Sequence, residues 1–332
     1  MSELRKDPFL DRWVVLAPHR EHRPRSSQGD ASKAECPFCP GHESQTPPEV
    51  LALGRQSNRP DTPGWQVRVF PNKYPAFSPE ADKPAVYPPF LAQTARGEHE
   101  VVVTSPDHDA RWRTFSKEQG RLALEAVAQR HEALARLPGI SQVFTFENAG
   151  EAAGATLPHP HLQMMALPQV APIVDEEMRR GEAWYASEGS CPLCYWIEAE
   201  TRSGDRVLEA GSEIVTLLPF APRFPFEFWI LPRVHQSAFP GPGNPLLGSI
   251  AGALRDHLTS LEIELGRVSY NWVLHSASPG DSALAFYHWH IEVLPNTVRT
   301  AGFEWGTGLF LHHLYPEEAA RRLRRAMPQT KR

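Results

Sequence analysis

Hydrophobic positions along the chain fall into two patterns, short apolar runs and longer stretches with helical spacing. Residues 98–104 have an apolar run at their centre, which is typical of a buried strand. Residues 116–119 read Ser-Lys-Glu-Gln, a capping box that predicts the start of a helix, and Pro138-Gly139 predicts its end. The buried face of this helix is predicted to contain Leu122, Val127, Leu134 and Leu137. A strand over residues 142–147 is predicted to follow.

The same order of elements recurs in the second half of the chain. The stretch Glu227–His235 crosses an apolar run and ends on a histidine eight positions after a glutamate, as Glu100–His108 does. Asn244 and Pro245 then predict the start of a second helix, and a strand is predicted over residues 270–275. The buried face of this helix is predicted to contain Leu247, Ile250, Leu254, Leu258, Leu261 and Leu265. Such self-similarity indicates duplication of one α+β unit.

Each half also contains a His-x-His pair. In the first half a loop containing Asn148 and Gly150 leads into His-Pro-His-Leu-Gln at residues 159–163. Side chains at alternate positions of a strand share a face, so His159, His161 and Gln163 are predicted to project together. The spacing repeats, since 51 residues separate position 108 from 159 and 53 separate position 235 from 288.

The second pair, His288 and His290, is an altered copy of the first. Trp289 replaces the proline, Glu292 stands where the first half has a glutamine, and no Asn-x-Gly loop precedes it. A carboxylate at that place would repel a phosphate group. We therefore expect the second half to support the fold, with His290 not acting as a nucleophile.

Composition narrows the class of protein. A chain of 332 residues with 41% hydrophobic and 22% charged residues is typical of a soluble globular protein with about two domains, predicted at residues 1–170 and 171–332. A net charge of -5 argues against binding of nucleic acid. No apolar run reaches membrane-spanning length, and the first residues lack the apolar core of a signal peptide, so we expect a cytoplasmic protein without a membrane partner.

All four cysteines occur in two Cys-Pro-x-Cys pairs, Cys36 with Cys39 and Cys191 with Cys194. In a reducing compartment such pairs indicate metal ligands or redox centres more than structural disulfides. A thioredoxin-like redox pair would need a βαβ context, which the sequence around Cys36 does not predict.

The His-Pro-His-x-Gln motif after an Asn-x-Gly loop resembles the active-site motif of galactose-1-phosphate uridylyltransferases, the nucleotidyl-transferring branch of the histidine triad superfamily. The resemblance spans roughly residues 5–310. It implies a fold of tandem histidine-triad-like domains, each an antiparallel sheet or half-barrel with packed helices. It also implies that His161 attacks the α-phosphorus of a nucleoside diphosphate sugar, while the amide of Gln163 donates a hydrogen bond to a phosphoryl oxygen.

The resemblance further implies substrate-binding roles for residues spread along the chain. Arginines suit a diphosphate because their forked donors bind two oxygens at once. The residue types alone are equally typical of a solvated basic loop or of an ordinary turn. The implied substrate-binding residues are Arg20, Arg23, Asn72, Lys73, Asn148, Gly150, Phe303 and Glu304.

Two structural zinc ions are also implied. The resemblance groups Cys36 and Cys39 with His108 and His159, and the internal repeat then gives a second set of Cys191, Cys194, His235 and His288. Four such ligands form a closed tetrahedral site. Some relatives bind their second metal differently, and that alternative ligand set corresponds to Glu177, His275, His288 and His290.

Three functions follow as expectations. The first is a UDP-glucose–hexose-1-phosphate uridylyltransferase that works by a ping-pong mechanism through a uridylyl-histidine. The resemblance also implies a homodimer. The second is an ADP-glucose phosphorylase, which passes the nucleotidyl group to inorganic phosphate. The third is a non-catalytic, zinc-stabilised nucleotide-binding module. Ala149, Thr156 and Lys73 differ from the residues of many family members, which leaves the base and the acceptor open.

Overall fold

The computed structural model describes residues 2–10, 12–22, 36–80, 87–278 and 283–328. Within these residues the strands are β1 (Glu3–Lys6), β2 (Trp13–Leu16), β3 (Leu51–Leu53), β4 (Val67–Pro71), β5 (Ala92–Thr94), β6 (Glu98–Val103), β7 (Gln142–Ala149), β8 (His161–Leu167), β9 (Val207–Ala210), β10 (Ile214–Leu217), β11 (Phe228–Pro232), β12 (Tyr270–His275) and β13 (His290–Pro295). The helices are α1 (Lys117–Ala135), α2 (Pro172–Glu188), α3 (Pro192–Ser203), α4 (Leu246–Leu265), α5 (Gly302–Thr307) and α6 (Pro316–Arg325). None of these described helices combines the length and the apolar character needed to cross a lipid bilayer.

The strands form one large sheet and one small sheet. The large sheet has ten strands in the order β3-β4-β6-β8-β7-β12-β13-β11-β10-β9, and every neighbouring pair is antiparallel. The small sheet has the order β2-β1-β5. The predicted α+β class with antiparallel sheets and packed helices is confirmed.

The large sheet has the same connectivity when it is followed inward from either edge. One series is β3, β4, β6, β8, β7 and the other is β9, β10, β11, β13, β12. In each series a long helix, α1 or α4, connects the third strand to the fifth. The two series meet where β7 pairs with β12. This repeated order agrees with duplication of one unit, and it shows that the two half-sheets are joined edge to edge.

Helices α1 and α4 contribute to one hydrophobic core against one face of the large sheet. Leu162 and Met164 of β8 and Trp272 of β12 point into this core and are almost fully buried. Leu134 is buried as predicted, but Leu137 is 37% exposed, so its prediction as a core residue is wrong. The reason is that α1 ends at Ala135, which leaves Leu137 in the turn beyond the helix.

The opposite face of the sheet carries polar side chains. Residues that are paired across antiparallel strands share a face, and residues alternate between faces along a strand. By this register the face away from α1 and α4 carries the second histidine of each His-x-His motif. The polar residues on it include His99, His161, Gln163, Asn148, Asn271, His275, His290 and Glu292.

A buried carboxylate lies under the seam between the two halves. Glu147 of β7 is opposite Trp272 of β12, on the helix-covered face. One of its oxygens, Oε2, accepts hydrogen bonds from the indole nitrogens of Trp112, at 2.8 Å, and Trp272, at 2.5 Å. Burial raises the pKa of Glu147 to about 7, although both indole hydrogen bonds act in the opposite direction.

The raised pKa of Glu147 predicts a pH-dependent stability. The folded protein binds this proton more tightly than the unfolded chain, so the contribution of Glu147 is fully present below its unfolded pKa and is lost as the pH rises through about 7. We expect the free energy of unfolding of Glu147→Gln, relative to wild type, to rise by the order of 3 kcal/mol between pH 4 and 8. Urea denaturation at several pH values measures this difference. The exposed Glu151→Gln is the control, and an equal pH trend in both variants would contradict the assignment.

Candidate active site

His161 is the first residue of β8 and is 6% exposed. Its Nδ1 lies 2.8 Å from the carbonyl oxygen of His159. A carbonyl oxygen only accepts hydrogen bonds, so Nδ1 carries a proton, and in the neutral ring the lone pair is then on Nε2. The ring of Phe38 packs edge-on against the imidazole, with the ring centres 5.2 Å apart. His161 is thus held in the tautomer that a nucleophile acting through Nε2 requires.

The structure places His159 differently from the prediction. The strand begins at His161, so His159 lies in the loop before it, and its ring reaches the cysteines instead of sharing the strand face with His161 and Gln163. Pro160 has no N–H to donate to a neighbouring strand, which accounts for the late start of β8.

The loop after β7 is held by the second half of the chain. Gly150 has φ +89°, and a Cβ there would lie 2.3 Å from Ser269 Oγ, so both the backbone conformation and the close approach require glycine. The side-chain nitrogen of Asn271 donates to Asn148 Oδ1 at 2.8 Å and to the carbonyl oxygen of Ala153 at 2.9 Å. The predicted Asn148 loop is therefore fixed by strand β12, which the sequence did not indicate.

A cleft of about 390 Å³ opens beside this loop. His161, Asn148 and Gly150 line it from the first half, and Arg267 and Glu262 line it from the second. The structure therefore brings three of the predicted site residues together around one cavity.

Gln163 lies on the same strand face as His161, two residues further on. Its Oε1 is 3.0 Å from Nε2 of His99, on the neighbouring strand β6. The Nδ1 of His99 in turn accepts a hydrogen bond from the backbone N–H of Ala76 at 3.0 Å. His99 was not among the predicted site residues. Its signal was a histidine alternating with Val101 and Val103 on one face of an apolar strand.

The first cysteine pair forms a four-residue cluster with His108 and His159, as predicted. One ligand atom from each of Cys36, Cys39, His108 and His159 lies within 4.8 Å of the others. The Nε2 of His159 donates to the carbonyl oxygen of Ser105 at 2.8 Å, so its bare Nδ1 faces the sulfur atoms, 3.6 Å from Cys39 Sγ. Burial lowers the pKa of His159 to about 4, which keeps the ring neutral. These four residues are able to bind a metal ion.

The second cysteine pair forms an equivalent cluster with His235 and His288. Cys191 and Cys194 lie at the start of α3, and Cys194 Sγ is 3.3 Å from His235 Nδ1 and 3.4 Å from His288 Nδ1. The Nε2 of His288 donates to the carbonyl oxygen of Pro232 at 3.0 Å, which again leaves Nδ1 bare toward the sulfurs. The geometry therefore places His288 with the cysteines and not in the alternative ligand set.

The remaining members of the alternative set form a separate cluster. Glu177 of α2, His275 of β12, and His290 and Glu292 of β13 bring their ligand atoms within 4.8 Å of one another, so these four could also hold an ion. His275 Nδ1 lies 2.9 Å from Glu177 Oε1. His290 Nε2 is 3.9 Å from Glu177 and 3.8 Å from Glu292. Burial opposes protonation of His290, but the two carboxylates outweigh it and raise its pKa. A raised pKa favours the protonated ring, which has no lone pair for nucleophilic attack.

Three other predicted substrate-binding residues, Arg20, Asn72 and Lys73, do not line the cleft. Arg20 donates to the carbonyl oxygen of Tyr74 at 2.6 Å, and Asn72 Oδ1 accepts from the Tyr74 N–H at 2.8 Å, so both join the loop that contains Ala76. Burial lowers the pKa of Arg20. Lys73 is exposed.

Two of the described residues that were predicted to bind substrate, both near the C-terminal end, are not brought to the cleft. Phe303 and Glu304 belong to helix α5, where Glu304 accepts a hydrogen bond from the Ala301 N–H, and neither lines the cavity beside His161. The side chain of Phe303 is 50% exposed. Arg23 lies outside the described residues.

Comparison with known proteins agrees with this arrangement. The family described as galactose-1-phosphate uridyl transferase, N-terminal domain, matches residues 1–171. An ADP-glucose phosphorylase of Arabidopsis thaliana is 33% identical over 97% of this chain and 92% of its own length. A galactose-1-phosphate uridylyltransferase of Thermotoga maritima is 29% identical over 98% of both chains.

The solved structure of a uridylyltransferase superposes with a TM-score of 0.83, at 29% identity and over 98% of each chain. The likeness therefore extends through both halves of the chain and not only through the segment that contains His161. With more than half of its residues matched by the family and relatives aligned along nearly its whole length, this chain belongs to the galactose-1-phosphate uridyl transferase family.

Proposed function

We propose that the protein transfers a nucleotidyl group from a nucleoside diphosphate sugar to a hexose 1-phosphate, with UDP-glucose as donor and galactose 1-phosphate as acceptor. The observation that carries the proposal is the ring of His161, whose Nδ1 proton is held by the His159 carbonyl while Nε2 keeps its lone pair. A neutral imidazole in this state is a nucleophile near pH 7. Membership of the family supports the choice of substrates.

The reaction proceeds in two displacements at the α-phosphorus. In the first, the lone pair of His161 Nε2 forms a bond to phosphorus, the bond from phosphorus to the bridging oxygen breaks, and glucose 1-phosphate leaves with that electron pair. The ring keeps its Nδ1 proton, so the nucleotidyl-histidine is a substituted imidazolium. In the second, a phosphate oxygen of galactose 1-phosphate attacks the phosphorus and the electron pair returns to Nε2.

Neither displacement needs a general acid. The leaving group is a phosphate monoester whose second pKa is about 6, so it departs without a proton near neutral pH. An amide such as Gln163 can donate a hydrogen bond to a phosphoryl oxygen but cannot supply a proton. Gln163 and Asn148 therefore serve this transfer by stabilising charge on the phosphoryl group, the kind of contribution that preorganised donors make most strongly. Arg20, Arg23, Asn72, Lys73 and Gly150 complete the proposed nucleotide and phosphate site.

A second candidate function is phosphorolysis of ADP-glucose, with inorganic phosphate as the acceptor. The observation that favours it is the 33% identity to the ADP-glucose phosphorylase of Arabidopsis thaliana over nearly the whole chain. The first displacement at His161 is the same in both functions. They differ in the base that is bound and in the oxygen nucleophile that discharges the enzyme.

We propose that both Cys2His2 clusters hold zinc. Thiolate and neutral imidazole are typical donors for tetrahedral zinc, and in both clusters a bare Nδ1 faces the sulfur atoms. A set of four protein ligands leaves no position for substrate, so the role is structural. The first ion would brace His159, whose carbonyl oxygen orients His161.

We propose that the chain has two domains, residues 1–170 with the nucleophile and residues 171–332 as the supporting copy. Phe303 and Glu304 are proposed to contact the hexose. The exposed side chains of Phe303 and Trp305, 50% and 79% exposed, give the C-terminal segment an apolar surface that supports a homodimer. We also propose a cytoplasmic location, because cysteines that bind metal and form no disulfides are typical of a reducing compartment.

Exchange of label tests the covalent intermediate. We expect wild-type enzyme to exchange labelled glucose 1-phosphate into the nucleotide sugar without any acceptor, because the first displacement is reversible. His161→Ala should lose this exchange by a factor of about 10⁴ or more while keeping its fold and metal content. His290→Ala is the matched control from the second half and should retain exchange. Exchange by a folded His161→Ala variant would refute the nucleophile, and no exchange by wild type would favour a non-catalytic module.

The base and the acceptor are tested in one set of assays. We expect exchange with UDP-glucose to exceed exchange with ADP-glucose by at least about tenfold, and galactose 1-phosphate to discharge the labelled nucleotidyl-enzyme faster than phosphate does. The reverse order in both assays, measured by product release after rapid removal of excess donor, would establish the phosphorylase instead.

Metal content tests the two zinc sites. We expect two zinc ions per chain by elemental mass spectrometry, and one in Cys36→Ala or Cys191→Ala. Each cysteine variant should also unfold more easily, since structural zinc in small peptides contributes on the order of 10 kcal/mol. Glu177→Gln removes a ligand of the separate carboxylate cluster and should keep both ions. Loss of an ion from that variant would show that this cluster, and not a Cys2His2 set, holds one of them.

A further inference from the structure

The two amide side chains beside His161 can each present either of two opposite groups to a phosphate. The nitrogen of Gln163 or Asn148 donates and stabilises negative charge, whereas the oxygen accepts and repels it. The orientation of each amide therefore decides whether it helps the transfer. The question is what holds each side chain in the useful orientation.

For Gln163 the orientation follows from a backbone group. The N–H of Ala76 can only donate, so His99 Nδ1, 3.0 Å away, is an acceptor and carries no proton. The proton of the neutral ring must then be on Nε2. That N–H faces Gln163 at 3.0 Å, and the facing atom of Gln163 must be its oxygen. Asn72 Nδ2 also lies 3.2 Å from His99 Nε2, but in this tautomer both nitrogens are donors, so this contact adds no hydrogen bond.

For Asn148 the orientation follows from the backbone carbonyl of Ala153. The oxygen of Ala153 can only accept, so the atom of Asn271 that lies 2.9 Å from it is the amide nitrogen. The same nitrogen lies 2.8 Å from Asn148, whose facing atom must therefore be its oxygen. Asn148 is held by the second half of the chain and Gln163 by the first, so the two constraints are independent.

We propose that His99 and Asn271 are positioning residues that turn the amide nitrogens of Gln163 and Asn148 toward the transferred phosphoryl group. This inference rests on the proposed function, because it assigns the polarity of that same site. With both oxygens occupied, each amide keeps only its NH2 group for an anion. Among the described residues, the side-chain hydrogen bonds of Gln163 and Asn148 are made through their oxygens, to His99 and Asn271. Donors fixed before the substrate arrives need no reorganisation during the transfer.

Two substitutions at His99 separate positioning from simple support of the Ala76 loop. His99→Asn keeps an acceptor close to the place of Nδ1 and removes the donor to Gln163. His99→Gln places an amide near the position of Nε2 and gives up the acceptor for Ala76. Positioning predicts that His99→Asn lowers kcat of the exchange reaction about tenfold with KM within about twofold, and that His99→Gln retains more activity. If His99 only supports the Ala76 loop, His99→Gln should instead lose more activity than His99→Asn.

Double mutants show which amide each residue acts through. In a Gln163→Ala background, His99→Asn should change kcat by less than about twofold, because there is no amide left to orient. In an Asn148→Ala background it should keep its full effect. Asn271→Asp faces Asn148 with an acceptor, so it should lower kcat at least about tenfold in wild type and in Gln163→Ala, and far less in Asn148→Ala.

The tautomer of His99 is a direct readout that needs no activity. Nitrogen NMR of histidine-labelled wild type, assigned with the His99→Gln variant, should show a neutral ring protonated at Nε2. A ring protonated at Nδ1 would overturn the inference, and so would an undiminished effect of His99→Asn in Gln163→Ala or no effect of His99→Asn at all. Failure of wild type to exchange label would sink the proposed function alone, since the tautomer measurement still decides the orientation of Gln163.

Discussion

The hydrogen bond from His161 Nδ1 to the carbonyl oxygen of His159 is the interaction on which the proposed chemistry of this protein depends. A single residue, His159, contributes its ring to the first cysteine cluster and its carbonyl to the nucleophile. Pro160 between them fixes one backbone dihedral and reduces the freedom of the segment. The tautomer of the proposed nucleophile is therefore coupled to the integrity of the cysteine cluster through the backbone, and the proposed mechanism needs no separate base to activate it.

The same backbone arrangement occurs again in the second half, where His290 Nδ1 lies 3.1 Å from the carbonyl oxygen of His288. Its surroundings differ. The ring of His290 stacks on Trp229 with the ring centres 4.9 Å apart, and Glu292 is buried and paired with Arg223 at 2.6 Å. The two halves therefore share the backbone arrangement and differ in the groups that surround the imidazole. Carboxylates beside His290 raise its pKa, whereas the side chain two residues after His161 is the uncharged amide of Gln163.

Much of the fold could be predicted from the sequence, because the sequence signals for helices and strands are local. The capping box at Ser116 and the apolar run before His108 each predicted an element that the structure contains. The repeated spacing of histidines predicted a duplication, with which the strand order agrees. Leu137 was misjudged because the end of a helix depends on the turn that follows it and not on the hydrophobic pattern alone.

The candidate active site could be predicted from the sequence only in part. Cys36, Cys39 and their counterparts were predicted from motif and repeat, and they do converge with the expected histidines. The contributions of His99 and Asn271 depend on which residues face each other across strands, and a single sequence does not contain that register. The grouping of His288 with cysteines in preference to Glu177 likewise depends on how α2 and α3 pack.

The pairing of β7 with β12 also shows how the second half of the chain supports the first. An antiparallel pair of equivalent strands is the arrangement that a two-fold axis produces, so one chain here occupies the place of a symmetric pair of smaller proteins. Alone, the first half would expose β7 as an open edge, with unsatisfied backbone groups beside its reactive loop. In the single chain, β12 covers that edge. The side chains of the second half can therefore differ from those of the first, while its strand β12 is still needed to pair with β7.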